Sequence, residues 1–163
     1  MRDEILFYEI QPFWRNRPMI AVAILVIAVF ISRFVQYAVW DTNSIIATAV
    51  VFLVLGGIFF LKLQTVITEE GIYVRYFPLI FRTRFFAWED IEKAYVRKYS
   101  PVREYGGWGI RFNIIRGSKA YNVYGNIGLQ LVFNNGKKLL IGTNRAEELA
   151  EVLKKINDKR EQK

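Results

Sequence analysis

Three stretches of this chain carry residues that could do chemistry. Glu89, Asp90 and Glu92 form a small acidic cluster, Tyr105, Gly106, Gly107, Trp108 and Gly109 form a glycine-rich loop around an indole, and Arg82, Arg84, Arg103 and Arg111 lead a scatter of basic side chains. Paired carboxylates can exchange protons with a substrate, but these three lie in a turn with no nucleophile or metal ligand beside them, so solvated turn residues are the plainer expectation. The chain has no histidine and no cysteine. That removes the commonest general base, the commonest metal ligand, thiolate nucleophiles and disulfides. No catalytic residue, metal site or cofactor is expected, and the chain is read as a non-enzyme.

The glycine loop admits two readings. Three glycines in four positions cost conformational entropy, so something requires positive φ or close backbone approach. Either the loop is a turn and bulge with Trp108 plugging a core or rim, or its amides and Trp108 dock a partner or a lipid headgroup. It lacks the lysine and following Ser/Thr of a phosphate-binding P-loop, so nucleotide binding is not expected.

Charge is distributed unevenly. The net charge is +8, and residues 1–61 carry four basic and four acidic side chains, so the whole surplus lies in residues 62–163. A basic domain is drawn to anionic lipid by about 1 kcal/mol per Lys or Arg near the surface. The plainer expectation is that the charge keeps the domain soluble and on the cytoplasmic side, ahead of headgroup contact, and nucleic acid is the least favoured partner because the aromatic and basic residues lack the pattern of an RNA-binding sheet. Arg82 and Arg84, one residue apart on one strand face, with Arg103 and Arg111, are the candidate headgroup contacts.

The elements that must position these residues start from a double apolar run. Residues 19–31 are apolar throughout and continue to Trp40; after the short break 41–44, residues 45–61 have no charge. A bilayer core of roughly 30 Å takes about 20 apolar residues, so 19–61 is expected to be a two-helix transmembrane hairpin. The first arm lacks a small-residue cleavage site and reads as a retained anchor rather than a signal peptide. Arg15, Arg17 and Lys62 flank its outer ends and the tip 41–44 has no Lys or Arg, which places both termini in the cytoplasm, at the cell membrane. Arg33 dissents: it either reaches for Asp41 or meets a partner subunit. Residues 1–18 read as a cytoplasmic amphipathic segment whose Phe7, Tyr8, Phe13 and Trp14 suit a headgroup layer.

Beyond Lys62 the hydrophobic period becomes two, with turn residues at Glu69-Glu70-Gly71, Trp88-Glu89-Asp90, Gly117-Ser118, Gly125-Asn126 and Asn134-Asn135-Gly136. Gly71 is expected to supply a positive φ. The chain closes on a helix that Asn144 could cap with Glu147, with Ala146, Leu149, Ala150, Leu153 and Ile156 as an apolar stripe. The partition is 1–18, the hairpin 19–61, a domain 62–156 and a polar tail 157–163.

That order, carried by Thr68-Glu69-Glu70-Gly71-Ile72, Trp88-Glu89-Asp90-Ile91, the glycine-tryptophan loop with Ile110 and Arg111, residues 121–128 and Leu140-Ile141-Gly142-Thr143, resembles the bacterial and archaeal PH-like (pleckstrin homology fold) membrane proteins. The resemblance implies a seven-stranded antiparallel barrel or sandwich capped by a C-terminal helix, behind a membrane α-helical hairpin. It implies no reaction. The loop matching the phosphoinositide-binding loop of such domains, Glu69-Glu70-Gly71, is acidic. The functional expectation is a membrane-anchored binding or assembly module that recruits a protein partner or self-associates, with anionic-lipid headgroup sensing as the alternative; membrane lipids, an unidentified protein or a homo-oligomer are the expected partners.

Overall fold

Strand alternation, turn chemistry and one amphipathic helix generate two facing sheets with a lid. The computed structural model describes residues 4–37, 42–113 and 117–161. Among these, β1 (Ile5–Pro12), β2 (Lys62–Thr68), β3 (Gly71–Phe77) and β4 (Arg84–Ala87) form one sheet in the order β1-β2-β3-β4. The second sheet contains β5 (Ile91–Lys98), β6 (Gly109–Asn113), β7 (Ser118–Asn122), β8 (Ile127–Phe133) and β9 (Lys138–Gly142), ordered β5-β8-β9-β7-β6. Helices α1 (Arg17–Tyr37) and α2 (Thr42–Phe59) lie between β1 and β2, α3 (Pro101–Tyr105) between β5 and β6, and α4 (Ala146–Glu161) closes the chain.

Apolar side chains on alternate positions meet between the sheets. Leu63, Ile67, Ile72, Val74 and Tyr76 face Tyr121, Leu129, Leu131, Leu139 and Ile141, and α4 adds Leu149, Leu153 and Ile156. The helical stripe therefore covers the core as expected, although Ala150 is exposed. The start of α4 is secured differently from expectation. The Thr143 hydroxyl accepts from the Arg145 amide, and the Glu9 carboxylate accepts from the Thr143 hydroxyl at 2.7 Å and the Asn144 amide at 2.9 Å. A carboxylate there also complements the helix dipole.

Residues 5–12 belong to the sheet rather than to a separate segment. β1 pairs antiparallel with β2 from Tyr8↔Val66 to Pro12↔Lys62, so both helices are an insertion in one strand-to-strand connection. Its alternation is inverted: Glu9 and Gln11 are buried with Phe7, while Tyr8 and Ile10 are exposed. Gln11 donates to the Gly142 carbonyl at 2.6 Å, and Asn16, fully buried, donates to the Val123 carbonyl at 2.7 Å. Phe13 also enters the core, leaving Tyr8 and Trp14 as the exposed aromatics of the segment.

Two expectations are corrected. The β-domain is not a seven-stranded antiparallel unit: among the described residues it has nine strands in two sheets, and β7 runs parallel to β9, with Ser118↔Lys138 through Tyr121↔Ile141. The cause is topological. β8 pairs on both sides, with β5 and β9, and the β6–β7 hairpin joins the sheet at the free edge of β9, where β7 runs parallel to it. The transmembrane hairpin is also withdrawn, because among the described residues no helix is long and apolar enough to cross a membrane. In α1 the unbroken apolar run 19–31 covers about 20 Å before Ser32 and Arg33, and the 18 residues of α2 cover about 27 Å, against a hydrocarbon core of roughly 30 Å. The two-pass cell-membrane placement with cytoplasmic termini rested on that hairpin and falls with it.

Gly71 is needed for space rather than for a positive φ. It begins β3 opposite Ala87, and an added Cβ would sit 2.3 Å from the Phe86 carbonyl oxygen and 2.6 Å from the Phe85 ring. Gly71→Ala is expected to force β4 outward and to destabilise by about 1–3 kcal/mol. Urea unfolding midpoints of the two proteins check this; an unchanged midpoint would show that β4 gives way freely.

Candidate functional site

The glycine-tryptophan loop is the cap of a short helix. Ser100 accepts from the Arg103 amide at the start of α3, Pro101 occupies its first turn, and Gly106 ends it in the left-handed region at φ 71°. Gly107 and Gly109 also have positive φ, at 125° and 112°. The three glycine amides are spent inside the chain, Gly106 on the Val102 carbonyl, Gly107 on the Pro101 carbonyl and Gly109 on the Asn122 side chain at 2.8 Å. Trp108 is half-buried and donates from its indole to the Gly125 carbonyl at 3.1 Å. Tyr105, Gly106, Gly107, Trp108 and Gly109 together tie α3 to the β7–β8 turn.

Behind that loop lies a second, smaller core on the outer face of the five-stranded sheet, made by Tyr99, Tyr105, Ala120 and Leu140. Asn122, fully buried, links it to the main core: its amide donates to the Tyr99 hydroxyl at 3.0 Å and its backbone carbonyl accepts from the Tyr76 hydroxyl at 3.2 Å. Burial pushes the Tyr99 phenol up to about 12, against the opposing pull of the Asn122 hydrogen bond. Arg97 donates to the Glu104 carboxylate at 2.8 Å and to the Gln130 side-chain amide oxygen at 3.0 Å. Burial works against the Arg97 charge, but the bond to Glu104 outweighs it and the guanidinium pKa is raised.

The four candidate arginines do not converge. Arg82 is exposed in the β3–β4 connection, and Arg84 lies on edge strand β4 opposite Val74. Arg103 sits on α3, and Arg111 on β6 turns back to give its Nε–H to the Trp108 carbonyl at 2.9 Å. Glu89 and Asp90 occupy the turn between the sheets, and Glu92 pairs with Lys93 at 3.4 Å on the surface. Arg33 is exposed on α1, and Asp41, its expected companion, lies outside the described residues.

Two groupings emerge that spacing alone did not reveal. At the root of the helical insertion, Lys62 and Arg75 lie 5.4 and 5.3 Å from the Phe77 ring centroid, Phe81 meets the same ring edge-on at 5.8 Å, and Arg15 lies over Trp14 at 6.0 Å. At the gap between the sheets, a cleft of about 420 Å³ has Arg84, Lys119, Lys137 and Lys138 on its walls over Phe86, Phe133 and Tyr121. The signals were present as Lys137-Lys138 after a turn and as Phe-rich strand ends, but only the facing of two sheets puts Arg84 beside the β8–β9 turn.

Compared with protein-family models, curated proteins and solved structures, the chain matches none. With the parallel β7–β9 pair, that outcome removes the expected membership of the PH-like membrane proteins.

The Tyr99 environment yields a pH prediction. A phenol whose folded pKa exceeds the unfolded value near 10 stabilises fully below pH 10 and loses that contribution as pH rises toward 12. Tyr99→Phe is expected to lower stability at neutral pH by about 1–3 kcal/mol, because Asn122 loses its acceptor, and to flatten the fall between pH 10 and 12. Denaturant midpoints measured across that range provide the check.

Proposed function

We propose that this protein is a non-enzymatic binding and assembly module whose contact element is the helical insertion and whose occupant is a second copy of the same insertion. One observation carries the reading: α1 and α2 leave Val22, Ile24, Leu25, Val29, Ile46, Phe52, Leu53 and Val54 more than half exposed. Apolar surface on the order of 1,000 Å² exceeds what monomers usually leave in water and matches one side of a stable interface. The β-domain does not need it for its own core. Among the described residues of the insertion and its root, Met19, Ile58 and Leu61 pack against that core, and the Phe13 amide to Leu61 carbonyl bond of 2.8 Å closes the neck.

The test is to replace residues 18–60 by a short Gly-Ser link, keeping Phe13, Asn16 and Leu61. The full chain is expected to sediment as an oligomer and the shortened chain as a folded monomer. A full chain that stays monomeric, or a shortened chain that associates as before, would sink the idea.

A second reading, binding to anionic lipid headgroups, is favoured by the cations and aromatics at the neck, Arg15, Lys62 and Arg75 with Trp14, Phe77 and Phe81. Under it the full chain floats with vesicles containing anionic lipid but not with neutral ones, and floats less as salt rises. Equal recovery with both vesicle types removes this reading.

A further inference from the structure

We infer that the cleft between β4 and the β8–β9 turn is a binding site for a phosphate monoester attached to an apolar or hydroxyl-bearing body. Its volume of about 420 Å³ falls within the range of small-molecule sites. Arg84 of β4, Lys119 of β7 and Lys137 of the β8–β9 turn line it; Lys138 also borders it but lies on the Leu140 face of β9 and lines the pocket on the opposite side of the sheet as well. Asp90 is the single carboxylate among the described lining residues, against Arg84, Lys119 and Lys137. None of the four cations belongs to an ion pair among the described residues. By contrast, Arg97 is bridged to Glu104, Arg145 to Glu148 and Lys159 to Glu69.

Charge alone would indicate only a steering surface, but the floor adds shape. Phe86 and Phe133 meet with ring centroids 5.4 Å apart, one from each sheet, and Tyr121 and Leu139 beneath them are buried. The cleft is therefore apolar at its base and cationic at its rim. A doubly charged phosphate at the rim suits the Arg84 fork and the point charges of the lysines. The Asp90 carboxylate offers an acceptor for a ligand hydroxyl. The turn that carries Lys137 is held open: the Asn134 amide and side chain donate to the Asp90 and Glu89 carbonyls at 3.0 and 2.7 Å, and Asn135 accepts from the Lys137 amide at 3.1 Å.

The site does not rest on the helical insertion. β3 runs from Ile72, opposite Phe86, to Phe77, opposite Lys62, so roughly 17 Å of strand separates the cleft from the neck.

The experiment is calorimetric titration of the full chain in mild non-ionic detergent with adenosine monophosphate and with inorganic phosphate, alongside flotation on phosphatidylcholine vesicles with and without phosphatidic acid. Saturable binding of the soluble monoester assigns a free metabolite as the source, whereas binding only to phosphatidic acid vesicles assigns a lipid headgroup. Either supports the site if Lys137→Glu and Arg84→Gln each weaken it about tenfold while Lys154→Glu, an exposed position on α4, leaves it within twofold. All three are surface changes, and an unchanged far-UV spectrum confirms that they fold. Absence of binding in both arms, or equal weakening by Lys154→Glu, overturns the inference.

Discussion

The pairing of β1 with β2 is the constraint on which the rest of the structure depends. Pro12 and Lys62 are register partners although 49 residues lie between them. Closing a flexible loop of that length costs about 3 kcal/mol beyond a minimal turn, and ladder bonds formed after closure must offset it. Helices α1 and α2 occupy most of that connection, which leaves less free chain to order than a flexible loop of the same length. Phe13, Met19, Ile58 and Leu61 then seal the neck against the core. The same arrangement explains why an insertion this apolar does not disturb the sheets: it leaves from a strand-to-strand connection and makes few contacts with the domain beyond its root.

Buried polar groups on and beside β1 decide its register. Glu9, Gln11 and Asn16 each reach the far end of the chain, at Thr143 and Asn144, Gly142 and Val123 respectively. A slip by one residue would turn Tyr8 and Ile10 inward and strand these partners, and each lost buried hydrogen bond costs about 1–3 kcal/mol. The sheet therefore holds its N-terminal edge by polar specificity where its central strands hold theirs by apolar packing.

These features also explain what could be read beforehand. The turns Glu69-Glu70-Gly71, Trp88-Glu89-Asp90 and Asn134-Asn135-Gly136, the alternation of β2, β3 and β8, and the stripe Leu149, Leu153, Ile156 were legible because local chemistry and tertiary burial agree there. β1 was not, because its buried positions are Glu9 and Gln11 and its exposed ones Tyr8 and Ile10, the reverse of the pattern that marks a half-buried strand. The parallel β7–β9 pair was not, because which free edge a hairpin joins depends on edges already occupied. Two apolar runs in sequence gave helices in the right place but not what the helices do. For the candidate sites, the glycine loop was visible as an oddity and its structural role was one of two open readings, whereas Arg82, Arg84, Arg103 and Arg111 shared a charge and not a location.

The division of labour between the two ends of β3 follows from the same geometry. At one end Phe77 is held between Lys62 and Arg75 beside the exposed helices; at the other, Ile72 pairs with Phe86 at the mouth of the cationic cleft. Exposed apolar surface gains most by meeting another apolar surface, whereas unpaired cations over an aromatic floor gain most by meeting an anion with an apolar body. One rigid strand joins surfaces with opposite preferences. The two surfaces lie at opposite ends of the same strand, so covering one would leave the other open.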